Sequence, residues 1–166
     1  MLENRSSEAI FQKGEEIFLL GEQPKALYEI ISGCVRGYFL DESGNDFTKC
    51  FSVEGDFFGT QSYRTGKNAT YAIQALEETK ARKIPYAVID ELRSKNPKFN
   101  AFIEEQLEEE LERTEEQMRL YLVSDAKARL ETFQLSQPDL YQRLKLETIA
   151  SYIGVRPSSL SRLLKT

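Results

Sequence analysis

A chain of 166 residues, 40% apolar and carrying a net charge of −5, is long enough for one good core or for one core plus a small appended domain. It contains no histidine, which excludes Ser-His-Asp or Cys-His catalysis, histidine-ligated haem and histidine-based zinc or iron sites. Two cysteines fall short of the roughly four thiolates of an iron–sulfur cluster.

Cys34 and Cys50 stand in strand-like segments without metal-ligand spacing, and they are expected to be reduced and half-buried. No pair of carboxylates stands out from the charged background, so neither an enzyme nor a resident cofactor is expected. No run approaches the roughly 18–20 apolar residues that cross a bilayer, and no basic-then-apolar leader precedes the first polar residues. A soluble, cytoplasmic protein without membrane contact is the expectation.

Residues 10–88 alternate in polarity, with glycine-containing turns every eight to twelve positions. Short strands rich in Ile, Val, Phe and Tyr at that spacing predict a small antiparallel barrel or jelly roll. DESGND at 41–46 is the clearest hairpin turn. PYAVIDELRSKNP at 85–97 then predicts a short helix or two closing the barrel.

From about Pro97 to Val123 the pattern becomes one long helix. Leu107, Leu111, Thr114, Met118 and Tyr121 recur at spacings of 4, 3, 4 and 3, a heptad seam with almost solidly charged flanks. Such a seam buries against a partner helix, which makes these five residues a candidate dimer interface; the alternative is packing against the chain's own barrel. One more helix is expected over 125–134, followed by a break at SQPD (136–139). The expected division is thus a barrel at 1–96, a dimerisation helix at 97–123 and a terminal unit at 124–166.

The segment LKLETIASYIGVRPSSLSRLLKT, at 144–166, predicts two short helices across a tight turn. Ala150 lets the helices approach, and Gly154 can take the left-handed conformation the turn needs. Pro157 marks the first position of the second helix, and Leu160 and Leu163 hold it against the first. Arg156, Ser158, Ser159, Ser161, Arg162 and Lys165 then face outward. Short hydroxyls among long cations suit a DNA major groove, although an ordinary helical hairpin is the alternative. Charge is divided to match. Residues 143–166 hold five cations against Glu147 alone, whereas 101–120 hold eight glutamates against two arginines.

Barrel, seam-bearing helix and helix-turn-helix, in that order, carry further motifs. These are KGE at 13–15, GE at 21–22, YEIISGCVR at 28–36, GDFFG at 55–59, QALEET at 74–79 and IASYIGVRPSSLSRLLK at 149–165. From about Phe11 to Lys165 the chain resembles the Crp/Fnr family of bacterial transcription regulators. The resemblance implies an α+β fold with a cyclic-nucleotide-binding-like jelly roll, a long dimerisation helix and a C-terminal helix-turn-helix. It also implies a homodimer on double-stranded DNA, reading a palindrome with half-sites about one turn (roughly 10 bp) apart. RNA polymerase is a further implied partner.

The chain departs from the pattern of nucleotide-binding members. Thr60 follows Gly59 where those members place the ribose-binding glutamate, and Asn68, Ala69 and Thr70 stand near the expected Arg-Ser/Thr-Ala triplet. A buried phosphate without a cation costs several kcal/mol, so control by cAMP or cGMP is not expected. An unknown small-molecule effector would sit near Phe58, Gly59, Thr60, Tyr63, Arg64 and Tyr71, with plain core the better reading of Tyr71.

In the recognition helix Ser158 stands where many relatives carry a glutamate. The resemblance assigns Arg162 to a bidentate guanine contact and Arg156 and Lys165 to phosphates, and leaves either role to Ser159. The usual two-stranded wing is not expected, because the sequence stops at Thr166. A second reading, with terminal helices that bind a protein partner, stays open at this point.

Overall fold

Alternating polarity in the first half of the chain becomes two antiparallel four-stranded sheets. The computed structural model describes residues 5–165. Residues 1–4 and Thr166, where the readings of the leader and of the chain end fall, lie outside the described residues. The strands are β1 (Ser7–Phe11), β2 (Glu16–Phe18), β3 (Ala26–Ser32), β4 (Val35–Leu40), β5 (Asp46–Ser52), β6 (Phe57–Phe58), β7 (Ala72–Ala75) and β8 (Thr79–Pro85). One sheet runs β1-β8-β3-β6 and the other β2-β7-β4-β5. Their inward residues Phe18, Ile30, Val35, Phe58, Tyr71 and Ile73 form one apolar core, as a jelly roll requires.

The predicted hairpin joins β4 to β5. Asp41 Oδ1 accepts from the backbone amides of Ser43 and Asn45, both at 2.9 Å. The tighter β3–β4 turn depends on Gly33. Its φ is +109°, and a Cβ there would lie 2.6 Å from Thr79 Oγ1.

A short helix α1 (Thr60–Thr65) lies between β6 and β7, and α2 (Tyr86–Lys95) closes the barrel as expected. Asn96 ends α2 and caps α3 (Pro97–Val123), its side chain accepting from the amides of Lys98 and Phe99. Proline at the first helical position reinforces that start. The first turns of α3 pack on the chain's own barrel, with Ile103 buried among Leu27, Ile84 and Ile89.

Asp125 caps α4 (Ala126–Ser136) by accepting from Ala128 N. The expected break at 136–139 spans one residue between helices, because Pro138 opens a further helix, α5 (Pro138–Arg143). Proline lacks an amide that a first helical position does not use, so it starts this helix rather than preventing one. Helices α6 (Leu146–Ile153) and α7 (Pro157–Leu163) complete the terminal unit.

That unit shares a core with the barrel. Leu130, Phe133, Leu140, Ile149, Ile153 and Leu160 cluster with Cys34, and Phe51, Val53 and Leu76 pack against them. Cys34 is therefore buried outright rather than half-buried, and burial pushes its thiol up to about 12.

Strand β5 is the outer strand of its sheet, and α6 covers it. Thr48 N–H donates to Ser151 Oγ at 2.8 Å, the two hydroxyls lie 2.9 Å apart, and Ser151 Oγ donates to the Asp46 carbonyl at 3.2 Å. An edge amide that would otherwise face solvent is thereby satisfied. Behind it, buried Arg36 bridges Asp46 at 2.7 Å, donates to Gln74 and Thr48, and stacks on Tyr38.

Candidate nucleic-acid interface

Helices α6 and α7 meet through Ile149, Ala150, Ile153 and Leu160, each no more than 1% exposed. The turn between them rests on Gly154, at φ +72° with its amide bonded to the Ala150 carbonyl. A Cβ on Gly154 would lie 2.8 Å from the Tyr121 ring, so both the backbone angle and the close approach require glycine. Tyr121 also donates its hydroxyl to the Tyr152 carbonyl, and Arg129 stacks on its ring at 4.8 Å. Arg129 Nε donates to the Ile153 carbonyl at 3.0 Å. The end of α3, the start of α4 and the α6–α7 turn are thus tied at one point.

Burial of Leu160 sets the outward face of α7. Arg156, Ser158, Ser161, Arg162 and Lys165 are exposed, and Ser159 is half-buried. Arg162 Nη2 donates to Ser159 Oγ at 3.3 Å, and Ser161 Oγ donates to the Pro157 carbonyl at 3.1 Å. The Ser159–Arg162 contact positions the guanidinium on the open side of the helix, where the four other N–H donors of its planar fork remain in reach of solvent or a ligand.

Arg143, counted with this basic end by sequence, does not belong to it. Its guanidinium forks onto Glu54 at 3.0 and 3.1 Å and reaches Glu77, both on the barrel. The arginine holds the Glu54 carboxyl well down, at about 2, so the contact persists through the neutral range. Gly33 N also donates to Glu54, at 2.7 Å.

The five seam residues of α3 divide. Leu111 and Met118 are 51% and 58% exposed on the open side of the helix. Leu107 instead packs partly against the barrel cluster around Ile103, and Tyr121 turns onto Gly154. Thr114 spends its hydroxyl on the Glu110 carbonyl at 2.9 Å.

The proposed effector residues also separate. Phe58, Thr60 and Tyr71 line an open cavity of about 930 Å³ between the barrel, α3 and α4–α5. Tyr63 and Arg64 line another groove, on the far side of α1. Gly59 lines neither, and its carbonyl accepts from the Tyr86 hydroxyl at 2.7 Å. The change from β6 to α1 underlies the division: Phe58 and Thr60 are buried, whereas Tyr63 is half-buried and Arg64 is exposed one turn into the helix. Tyr71 is 6% exposed within the barrel core, against Phe39 and beneath Lys49, as its reading as core required.

Residues 8–96 match the family of the cyclic nucleotide-binding domain. Over 164 residues the chain is 30% identical to the regulatory protein HlyX of Actinobacillus pleuropneumoniae, covering 92% of this chain and 68% of HlyX. The chain belongs to the Crp/Fnr family. The fumarate and nitrate reduction regulatory protein of Vibrio cholerae is a further relative, 30% identical over 92% of this chain. The chain spans 65% of that relative's length. Among solved structures, FixK2 from Bradyrhizobium japonicum superposes with a TM-score of 0.88 at 23% identity, covering 96% of this chain and 83% of FixK2. The α+β jelly roll with its long helix and terminal helix pair is therefore a Crp/Fnr fold. No helix among the described residues is long and apolar enough to cross a membrane.

Proposed function

We propose that this Crp/Fnr chain is a cytoplasmic DNA-binding transcription regulator that acts as a homodimer on a palindromic operator, in contact with RNA polymerase. The observation that carries the reading is the face of α7. Leu160 is fully buried, while Arg156, Ser158, Ser161, Arg162 and Lys165 stand open. Ser159 completes that face by holding Arg162. A short helix presenting a guanidinium between hydroxyls and further cations fits a major groove. In this arrangement Arg162 reads guanine, and Arg156 and Lys165 grip phosphates.

Dimerisation rests on Leu111 and Met118, whose exposed apolar surface continues to Leu122 and Val123. Thr114 lies between them and sets register, while Leu107 and Tyr121 bound the seam at its two ends.

Neither cAMP nor cGMP has a place in this function. Tyr71 fills the barrel interior, and Asn68, Ala69 and Thr70 supply no cation for a buried phosphate. A small effector without a phosphate would enter beside Phe58, Thr60 and Tyr71 instead.

Arg162→Ala tests the assignment. It is expected to weaken specific binding by about 1–3 kcal/mol and to relax preference at one base pair of each half-site. Fluorescence anisotropy on the parent operator and on its single-base variants reads both effects. Parent-like affinity with unchanged base preference would remove Arg162 from the recognition face.

A further inference from the structure

The groove that takes Tyr63 and Arg64 lies between α1, α2 and the loop before β3, has a volume of about 480 Å³, and reaches α3 at Leu107. Its rim carries Lys25, Arg64, Lys67 and Arg93 against Asp90. Two of these are engaged. Asp90 accepts from the Tyr63 hydroxyl at 2.8 Å, and Arg93 holds Asn100 at 2.7 Å and Glu104 at 3.4 Å. Lys25, Arg64 and Lys67 are exposed and make no ion pair among the described residues. Three uncompensated cations around one groove are conspicuous in a chain of net charge −5.

The complement lies on α3. Glu105, Glu108, Glu112 and Glu115 recur at spacings of 3, 4 and 3, so they form one stripe along the helix. All four are exposed, and none makes an ion pair among the described residues. With Leu111 and Met118 at a, and Leu107 and Thr114 at d, the stripe occupies the b and e positions beside the seam. In a parallel pair an e residue packs beside the g residue five positions earlier on the other helix. In such a pair Glu108 of the partner subunit would fall beside Ile103. Ile103 is 3% exposed because the barrel covers it, with Tyr63, Tyr86 and Leu107 at the edge of that contact. These three residues also line the groove. One heptad on, Glu115 of the partner subunit would meet Glu110, a like-charge contact that opposes pairing of the helices by themselves.

The geometry points to the groove as the docking surface for the glutamate stripe of a second copy of this chain. Lys25, Arg64 and Lys67 take the partner's Glu105 and Glu108, and each barrel thereby grips the other protomer's helix. This contact rests on the dimeric reading above and adds to it a barrel-to-helix interface that sets the parallel arrangement. It also offsets the repulsion along the seam.

Charge exchange between protomers tests it. Arg64→Glu/Lys67→Glu and Glu105→Lys/Glu108→Lys are each expected to raise the dimer dissociation constant about tenfold in sedimentation experiments at about 0.05 M salt, with a smaller effect at about 0.5 M. Circular dichroism and thermal unfolding, unchanged from the parent, establish that both variants are folded. Mixed in equal amounts, the two variants are expected to form heterodimers of parent-like affinity, because both grooves then face helices of opposite charge. Variants that dimerise as tightly as the parent overturn the docking surface, as do dissociated variants that fail to associate on mixing, since the contact would then lie within one protomer. A parent protein that stays monomeric at every concentration and salt overturns the dimeric reading itself.

Discussion

Leu160→Ala is expected to lower stability by about 2–5 kcal/mol, the range for truncating a fully buried leucine. Leu160 has no exposed surface, and it is the side chain of α7 around which Ile149, Ala150 and Ile153 close. A seven-residue helix has no independent stability, so α7 exists only through this packing. The same cluster continues through Phe133 to Phe51 and Val53 on the barrel, which limits how far the cavity can collapse. Urea titration followed by circular dichroism gives the magnitude. Hydrogen exchange resolved by peptide places the loss, which is expected to concentrate in residues 146–165 and in β5. A cost below about 1 kcal/mol would mean that α6 and α7 do not share a packed interior.

The second large effect is on association. Replacing both Leu111 and Met118 by glutamate is expected to convert dimers to monomers across the micromolar range, a change of about a thousandfold or more. Each buried apolar side chain contributes about 1.5–3 kcal/mol, and two-fold symmetry counts each one twice. Glutamate also adds charge to a helix segment that already holds eight. Neither residue supports the fold of the protomer, since both are more than half exposed. Unfolding of the monomer should therefore stay close to that of the parent protomer. Variants that sediment as dimers would place the interface elsewhere.

Much of the architecture was legible where the cause is local. The Asn96–Pro97 pair announces the start of α3, and the helix ends at Val123 as its periodicity indicated. The residues at 41–46 specify their own turn through the Asp41 side chain. The spacing of Ala150, Gly154, Leu160 and Leu163 likewise shows the helix pair, because each residue acts within two turns of the others.

Contacts between distant segments were not legible. Ser151 pairs with Thr48 103 residues away, and Arg143 with Glu54 across 89. Nothing in the periodicity of either segment distinguishes these residues from solvated polar ones, so Arg143 counts by charge alone with the basic end. Leu107 and Leu111 are both seam positions of one heptad pattern. Only the extent of the barrel decides that the first is partly covered and the second open. Phe58, Thr60, Tyr63 and Arg64 are close in sequence, yet the change from β6 to α1 separates them into two cavities. Pro138 stood for a break because its role at a first helical position depends on the residues that follow.

Selection of bound duplexes from a random pool, with no ligand added and at low and moderate salt, reads operator recognition by the α7 face itself. The expected result is an enriched palindrome with half-sites about one helical turn apart, bound less tightly as salt rises. Failure to enrich any sequence at either salt, with protein that sediments as a folded dimer, would contradict it.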